Sequence, residues 1–131
     1  MANSNFLGTS PQGFVAGGTI ANNVLVKLHS VEGQVVVTAA ITDSPLGASL
    51  NSAVANGTIS VQQFGKVKLT AKAAISLGAQ VMPDGGGAGL IATASGATAK
   101  SIGIALQAAL AENDVIEVQL LVPAVNGPAN A

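Results

Sequence analysis

The sequence lacks cysteine, arginine, tryptophan and tyrosine, and only 8% of its 131 residues are charged. Without cysteine it can form neither disulfides nor thiolate metal sites. Without arginine, and with a formal net charge of −1, it offers no basic field to attract nucleic acid. No apolar run approaches 18 residues, and the N-terminus has neither a basic nor an apolar signal region. We therefore expect no nucleic-acid partner, no membrane span and no signal peptide.

Motifs for catalysis or metal binding are also sparse. His29 is the only histidine, and no G-x-S-x-G elbow accompanies it. We interpret it as a solvated surface residue, with a Ser-His-Asp triad as the minor alternative. The acidic cluster of Glu112, Asp114 and Glu117 lacks the spacing of an EF-hand. It indicates a polar turn and solvent face before the last strand, and a weak cation site is the alternative.

The glycine-rich segment 82–90, Met-Pro-Asp-Gly-Gly-Gly-Ala-Gly-Leu, could either cradle a phosphate or turn the chain. A phosphate loop of the P-loop type ends in Gly-Lys-Ser/Thr before a helix, and neither feature is present. Leu90 also stands where a dinucleotide fingerprint needs its third glycine. Because Pro83-Asp84-Gly85 is a strong turn signal, we predict a hairpin loop.

What the sequence has instead is aliphatic: 49% of residues are hydrophobic, 24 are alanine, and the mean hydropathy is +0.55. Few charges leave little to keep an isolated surface soluble. We expect a subunit that hides much of its surface in an assembly. The alternative is a very stable β domain built from small residues.

Alternation with a period of two recurs along the chain and predicts a mainly β fold, a small single-domain β-barrel or sandwich over residues 20–122. Residues 1–19 are rich in glycine and carry two of the three phenylalanines, which indicates a flexible N-terminal arm with apolar anchors. Residues 123–131 are predicted to be a loose tail. The alanine-rich segments 48–55 and 105–111 are too short for periodicity to distinguish strands from short helices.

Two segments resemble each other. Residues 46–62 align with residues 102–119 after a one-residue insertion, so that Gly47 matches Gly103, Ala53 matches Ala109 and Val61 matches Val118. A strand–turn–strand unit used twice in a pseudo-symmetric barrel explains the similarity. Chance similarity in an alanine-rich chain is the alternative.

Lys66, Lys68 and Lys72 are predicted to lie on one strand face. Without arginine or interleaved aromatic residues, they form a poor platform for nucleic acid. Lysines on a strand commonly keep a sheet edge from pairing with another molecule. Contact with an acidic partner surface is the functional alternative.

The C-terminal half carries a family pattern. The run Ala74-Ile-Ser-Leu-Gly-Ala-Gln-Val81, a Pro-Asp-Gly turn, and the run from Lys100 through Ile102-Gly-Ile-Ala-Leu106 to Leu120 resemble the capsid decoration (cement) proteins of tailed bacteriophages. In that family a strand ending in Ile-Gly-x-Ala-Leu precedes an alanine-rich turn with an acidic residue, then Val-x-Val-x-Leu. The resemblance covers roughly residues 45–121, and residues 1–44 show no such signature.

The resemblance implies a β domain on the outer surface of the virion capsid, with no enzyme activity and no cofactor. It also implies a homotrimer that clamps neighbouring subunits of the major capsid protein. We expect the arm to contact the capsid through its apolar anchors, Phe6, Leu7, Phe14 and Val15. Two alternatives remain: a head-fibre or tail-associated β domain that binds a receptor or sugar, and a small hydrolase-type enzyme, which the lone histidine and absent cysteine disfavour.

Overall fold

The structure, a computed structural model, describes residues 12–41, 43–94 and 101–121. It contains ten strands and no helix in these ranges: β1 (Gln12–Ala16), β2 (Leu25–Leu28), β3 (Gln34–Val37), β4 (Gly47–Ser49), β5 (Thr58–Gln62), β6 (Gly65–Thr70), β7 (Gln80–Pro83), β8 (Ile91–Thr93), β9 (Gly103–Ala105) and β10 (Val115–Leu120). The predicted mainly β barrel fold is confirmed. The two alanine-rich segments form short strands and loops rather than helices. No described element is a helix long and apolar enough to cross a membrane.

The strands form two five-stranded units. In the first unit the order β1-β3-β2-β4-β5 closes into a barrel, because β1 pairs in parallel with β3 and antiparallel with β5. The second unit has the order β6-β10-β9-β7-β8. A single parallel bridge between Ala71 and Ile91 joins its two outer strands. The second unit is thus a more open version of the first.

The two units share their register as well as their strand order. Phe14 pairs with Ile59 as Leu69 pairs with Ile116, and Leu25 pairs with Ala48 as Gln80 pairs with Ile104. Outside the strands, Ile20 bridges Ala53 as Ile75 bridges Ala109. The predicted repeat of residues 46–62 and 102–119 is therefore real, and it is the C-terminal part of a duplication that spans residues 12–62 and 67–119.

The glycine shared by the two repeats has a steric reason. A Cβ on Gly47 would overlap the carbonyl oxygen of Gln62, and one on Gly103 would overlap that of Gln119. In both units the strand that carries the glycine lies against the following strand of the repeat. Only glycine allows this approach, so the match of Gly47 with Gly103 records a shared backbone geometry.

The apolar residues form two cores that meet at the junction between the units. One core fills the first barrel and includes Ile20, Val26 and Ile59. The other fills the second unit, and it also contains Leu25 and Ala48 of the first unit. The first unit thus supplies two side chains to the core of the second, which binds the two units into one body.

The N-terminal arm predicted over residues 1–19 contains a strand in the part that the structure describes. Residues 12–16 form β1, which is paired on both sides within the first barrel. Ala16 is fully buried, and Phe14 packs against the barrel core. Gly13, Gly17 and Gly18 gave this segment the composition of a loop, although three apolar residues stand between them. Residues 1–11 and the predicted tail lie outside the described residues.

Candidate functional site

The glycine-rich segment is a hairpin loop, as predicted. Strands β7 and β8 are antiparallel, and Pro83 pairs with Ile91 across the loop. Gly87 and Gly89 adopt positive φ values of 85° and 72°. The Asp84 carboxylate accepts a hydrogen bond from the Gly86 N–H at 2.8 Å, so this N–H already has an acceptor within the loop. The loop has a different role, because Gly89 contacts the first unit.

The charged side chains are mostly paired within the chain. Lys27 lies 3.1 Å from Asp43, and Lys72 lies 3.1 Å from Glu112. The hydrogen bond and charge of Glu112 raise the pKa of Lys72. Lys66 lies 3.8 Å from Glu117. These pairs leave little uncompensated charge on the surface.

The predicted lysine face and acidic cluster are both divided by the fold. Lys66 and Lys68 lie on β6 at the end of the second sheet, in keeping with edge protection, whereas Lys72 follows the strand. The Asp114 carboxylate accepts hydrogen bonds from the N–H groups of Leu110 and Ala111, at 2.7 and 3.2 Å. Its role is to hold the loop before β10. Within the described ranges no three His, Asp or Glu side chains converge as a metal site would require.

His29 shapes a turn. Its Nδ1 atom accepts a hydrogen bond of 3.0 Å from the Val31 N–H in the β2–β3 loop. The side chain is half-buried rather than fully solvated. This hydrogen bond gives the histidine a local structural role.

The four predicted contact residues do not share one environment. Phe14 is half-buried against the core of the first barrel, and the next residue, Val15, is 40% exposed. Because successive side chains of a strand point to opposite faces, these two cannot present one apolar face together. Phe6 and Leu7 lie outside the described residues. Of the pair that the structure describes, Val15 is the residue available to a partner.

The surface carries apolar residues that sequence reasoning missed. Besides Val15, the exposed large hydrophobic residues among those described are Leu28, Val31, Leu50, Val54, Phe64, Leu77, Ile104, Leu106, Leu110, Val115 and Leu121. Two pairs occupy equivalent places after β4 and β9: Leu50 with Leu106, and Val54 with Leu110. The sequence repeat could have shown that the members of each pair are equivalent, but not that they are exposed. Their exposure is consistent with a surface that docks on a partner.

A cavity of about 230 Å³ lies at the junction of the units. Its lining residues are Asn23, Leu50, Lys66, Val67, Lys68 and Glu117. The ion pair of Lys66 and Glu117 compensates charge within it. The lining therefore combines charged side chains with the apolar Leu50 and Val67, as expected of a cleft at a packing junction.

Comparison with known families identifies the group to which these features belong. A family model described as phage cement protein matches residues 13–120. The chain belongs to the phage cement protein family. The match begins far upstream of the resemblance seen in the sequence, which started near residue 45, and it spans both units. Membership places the chain on the exterior of a bacteriophage capsid and suggests a structural rather than an enzymatic role.

Solved structures contain the same fold. The N base of the head fibre protein gp8.5 of bacteriophage phi29 aligns with a TM-score of 0.69 at 12% sequence identity. The alignment covers 89% of this cement protein and 98% of that chain. At this identity the likeness shows that the folds agree. Comparison with curated proteins gives no match.

Proposed function

We propose that this cement protein binds the outer surface of a mature phage head as a homotrimer and clamps neighbouring subunits of the major capsid protein. A ligand that binds the assembled shell, and not its separated subunits, shifts the equilibrium toward the shell. In a trimer, docking of one subunit raises the effective concentration of the other two at the surface. Binding therefore raises the temperature or the internal pressure at which the shell ruptures.

The character of the surface carries this proposal. Twelve large hydrophobic side chains are exposed within the described residues, while three lysines are paired with carboxylates of the same chain. Such a surface favours contacts made by apolar side chains and backbone over contacts between charges. Attachment is therefore expected to persist in salt, which screens exposed charges.

The test compares heads with and without the protein, heated at low and at about 0.5 M salt. We expect a higher rupture temperature with the protein bound, and similar occupancy at both salt concentrations. Equal rupture temperatures at full occupancy would refute the stabilising role. Loss of binding in salt would instead indicate that the interface depends on the lysines, which are Lys27, Lys66, Lys68, Lys72 and Lys100.

The N-terminal anchors are proposed to contribute to binding. Because β1 begins at Gln12, a deletion that tests them must end before that residue. Removing residues 2–11 is expected to preserve the β-sheet circular dichroism spectrum and to lower occupancy on heads. The double variant Phe6→Ser, Leu7→Ser keeps the chain length and tests the anchors alone. Unchanged occupancy for both variants would exclude the anchors from the contact.

A head-fibre base is the second candidate, favoured by the fold shared with the phi29 head fibre base. In that role the protein would attach to the head and carry an element that binds a receptor or sugar. Negative-stain imaging with expanded capsids, followed by adsorption to host cells, separates the two. Adsorption of the protein to cells, with no change in rupture temperature, would favour the fibre role.

A further inference from the structure

The two units contact each other through two different surfaces. The first unit contributes a docking edge, which we define as Asn23, Leu25, Ala48 and Leu50. The Asn23 carbonyl accepts hydrogen bonds from the N–H and hydroxyl of Thr70, at 2.9 and 3.1 Å. Leu25 and Ala48 are fully buried in the second core. The second unit contributes a receiving end, which we define as Thr70 and Gly89, which hydrogen-bond to the first unit, and Pro83, the buried last residue of β7 before the Gly89 loop.

Gly89 marks the centre of this junction. Its carbonyl accepts a hydrogen bond of 2.7 Å from the Leu25 N–H, and its own N–H donates to the Thr38 carbonyl at 3.1 Å. The loop thus bonds both to the first residue of β2 and to the residue after β3, which are hydrogen-bonded to each other. A Cβ on Gly89 would lie 2.7 Å from the Leu25 carbonyl oxygen, which shows how closely the surfaces meet.

Because the units are repeats, each surface exists a second time. The shared register gives the docking edge of the second unit as Gly78, Gln80, Ile104 and Leu106. There the position of the buried Ala48 is taken by Ile104, which is 38% exposed. Gln80 and Leu106 are exposed as well. Among the described residues, no element of the chain is packed on this second docking edge as the second core is packed on the first.

The receiving end of the first unit is also exposed within the part of the chain that the structure describes. Val15, Leu28 and Gly33 occupy the places of Thr70, Pro83 and Gly89. Pro83 is buried, whereas Leu28 is 62% exposed. Gly33 shares the positive φ of Gly89, but nothing lies within 4 Å of a Cβ placed on it. Val31, in the same loop, adds another exposed apolar side chain.

We propose that a second copy of this chain covers these surfaces: the docking edge of the second unit in one copy packs on the receiving end of the first unit in the next. The chain already joins the corresponding surfaces once, internally. Since the Gly33 carbonyl accepts a hydrogen bond from the Val15 N–H, side chains carry the contact between copies. Leu28 and Val31 then face Ile104 and Leu106. Such head-to-tail contacts form a ring when the rotation closes.

The inference rests on the self-association part of the proposed function, and it does not depend on capsid binding. In a trimer the arrangement would place six related units around one axis. A failure of the test below concerns only the surfaces between copies, because the rupture temperature and occupancy of heads are measured separately.

The first experiment measures mass by light scattering after size exclusion. The wild type is expected at a multiple of 12.7 kDa. Ile104→Lys and Leu28→Lys each block one side of the contact and are expected to give single chains. Val54→Lys is the control, because Val54 is 70% exposed and lies outside both surfaces. A wild type that stays at one chain, or single variants that stay assembled, would overturn the inference.

Mixing the two blocked variants tests the head-to-tail geometry. The Leu28→Lys chain keeps an intact docking edge, and the Ile104→Lys chain keeps an intact receiving end. The mixture is therefore expected to form a dimer of one chain of each kind, although neither variant associates alone. A contact made by the same patch on both chains would give no dimer and would contradict the proposal.

Cysteine variants provide a readout that does not require the lysine variants to fold. The chain has no cysteine of its own. A disulfide needs Cα atoms within about 7 Å, so it reports direct contact. Mixed Leu28→Cys and Ile104→Cys chains are expected to give a cross-linked dimer under mild oxidation. Cross-linking of either variant with itself, or none in the mixture, would refute the arrangement.

Discussion

The close contact between the two units at Gly89 predicts that one added methyl group there lowers the free energy of unfolding. Gly89→Ala places a Cβ 2.7 Å from the Leu25 carbonyl oxygen, at a φ of 72° that alanine adopts with difficulty. The left-handed backbone costs about 1–2 kcal/mol. Displacing the loop weakens its hydrogen bonds to Leu25 and Thr38, each of which contributes about 0.5–1.5 kcal/mol. Together these costs are expected to lower the free energy of unfolding by about 2–5 kcal/mol.

Gly87→Ala is the matched control, because Gly87 lies in the same loop with a φ of 85° and has nothing within 4 Å of a Cβ. It carries the backbone cost without the clash, so its expected loss is about 1–2 kcal/mol. The difference of about 1–3 kcal/mol corresponds to roughly 4–12 °C in melting temperature at this chain length. Calorimetry and urea unfolding measure both variants at one protein concentration. Equal losses would show that the close approach at Gly89 does not hold the units together.

Three further predictions concern single sites. Thr38→Val removes a fully buried hydroxyl that has no hydrogen-bond partner among the described residues, so urea unfolding is expected to show no loss, or a gain of up to about 1 kcal/mol. A loss of more than about 1 kcal/mol would reveal a hydrogen-bond partner for the hydroxyl. Partial burial acts to raise the pKa of Asp43, but the N–H groups of Ala39 and Ala40 and the side chain of Lys27 outweigh it, so the pKa is lowered. Ionised Asp43 therefore stabilises the fold. This stabilisation is present above the ordinary Asp pKa and is lost as pH falls through the lowered value. Asp43→Asn is expected to flatten the acid dependence of the melting temperature between about pH 2 and 6. Gly103→Ala forces a Cβ onto the Gln119 carbonyl and is expected to cost about 1–3 kcal/mol, whereas Gly13→Ala, with open space around it, is the control in thermal melts.

The alternation of apolar and polar residues was enough to predict most of the strands. Strand β6 shows why: Val67 and Leu69 are buried, while Lys66 and Lys68 between them are exposed. The strands that this pattern could not reveal were β1, β4 and β9. The latter two have three residues each and consist of glycine, alanine, serine and isoleucine. Three residues show barely one period of alternation, so the segments containing them were equally compatible with short helices.

The exposed apolar surface could not be predicted by the same reasoning. Val26 and Leu28 lie on the same face of β2, yet Val26 is fully buried and Leu28 is exposed where the strand ends. Alternation indicates which face of a sheet a residue occupies, but not where the core ends along the strand. Leu106 and Leu110 follow β9 in a loop, where alternation has no meaning. Locating such residues requires the fold.

The junction between the units helps to explain why only part of the repeat is visible in the sequence. Matched positions that face inward or pack tightly kept the same residue, such as Ala16 with Ala71, Ile20 with Ile75 and Val26 with Val81. Leu25 and Ala48 enter the core of the other unit. They correspond to Gln80 and Ile104, which are exposed and belong to neither core of the described residues. The two halves therefore differ at positions where the first unit docks on the second and the equivalent surface of the second unit is exposed. A comparison of sequence alone finds similarity at positions that have the same structural role in both units. The differences at the junction mark the surfaces that the two units use differently.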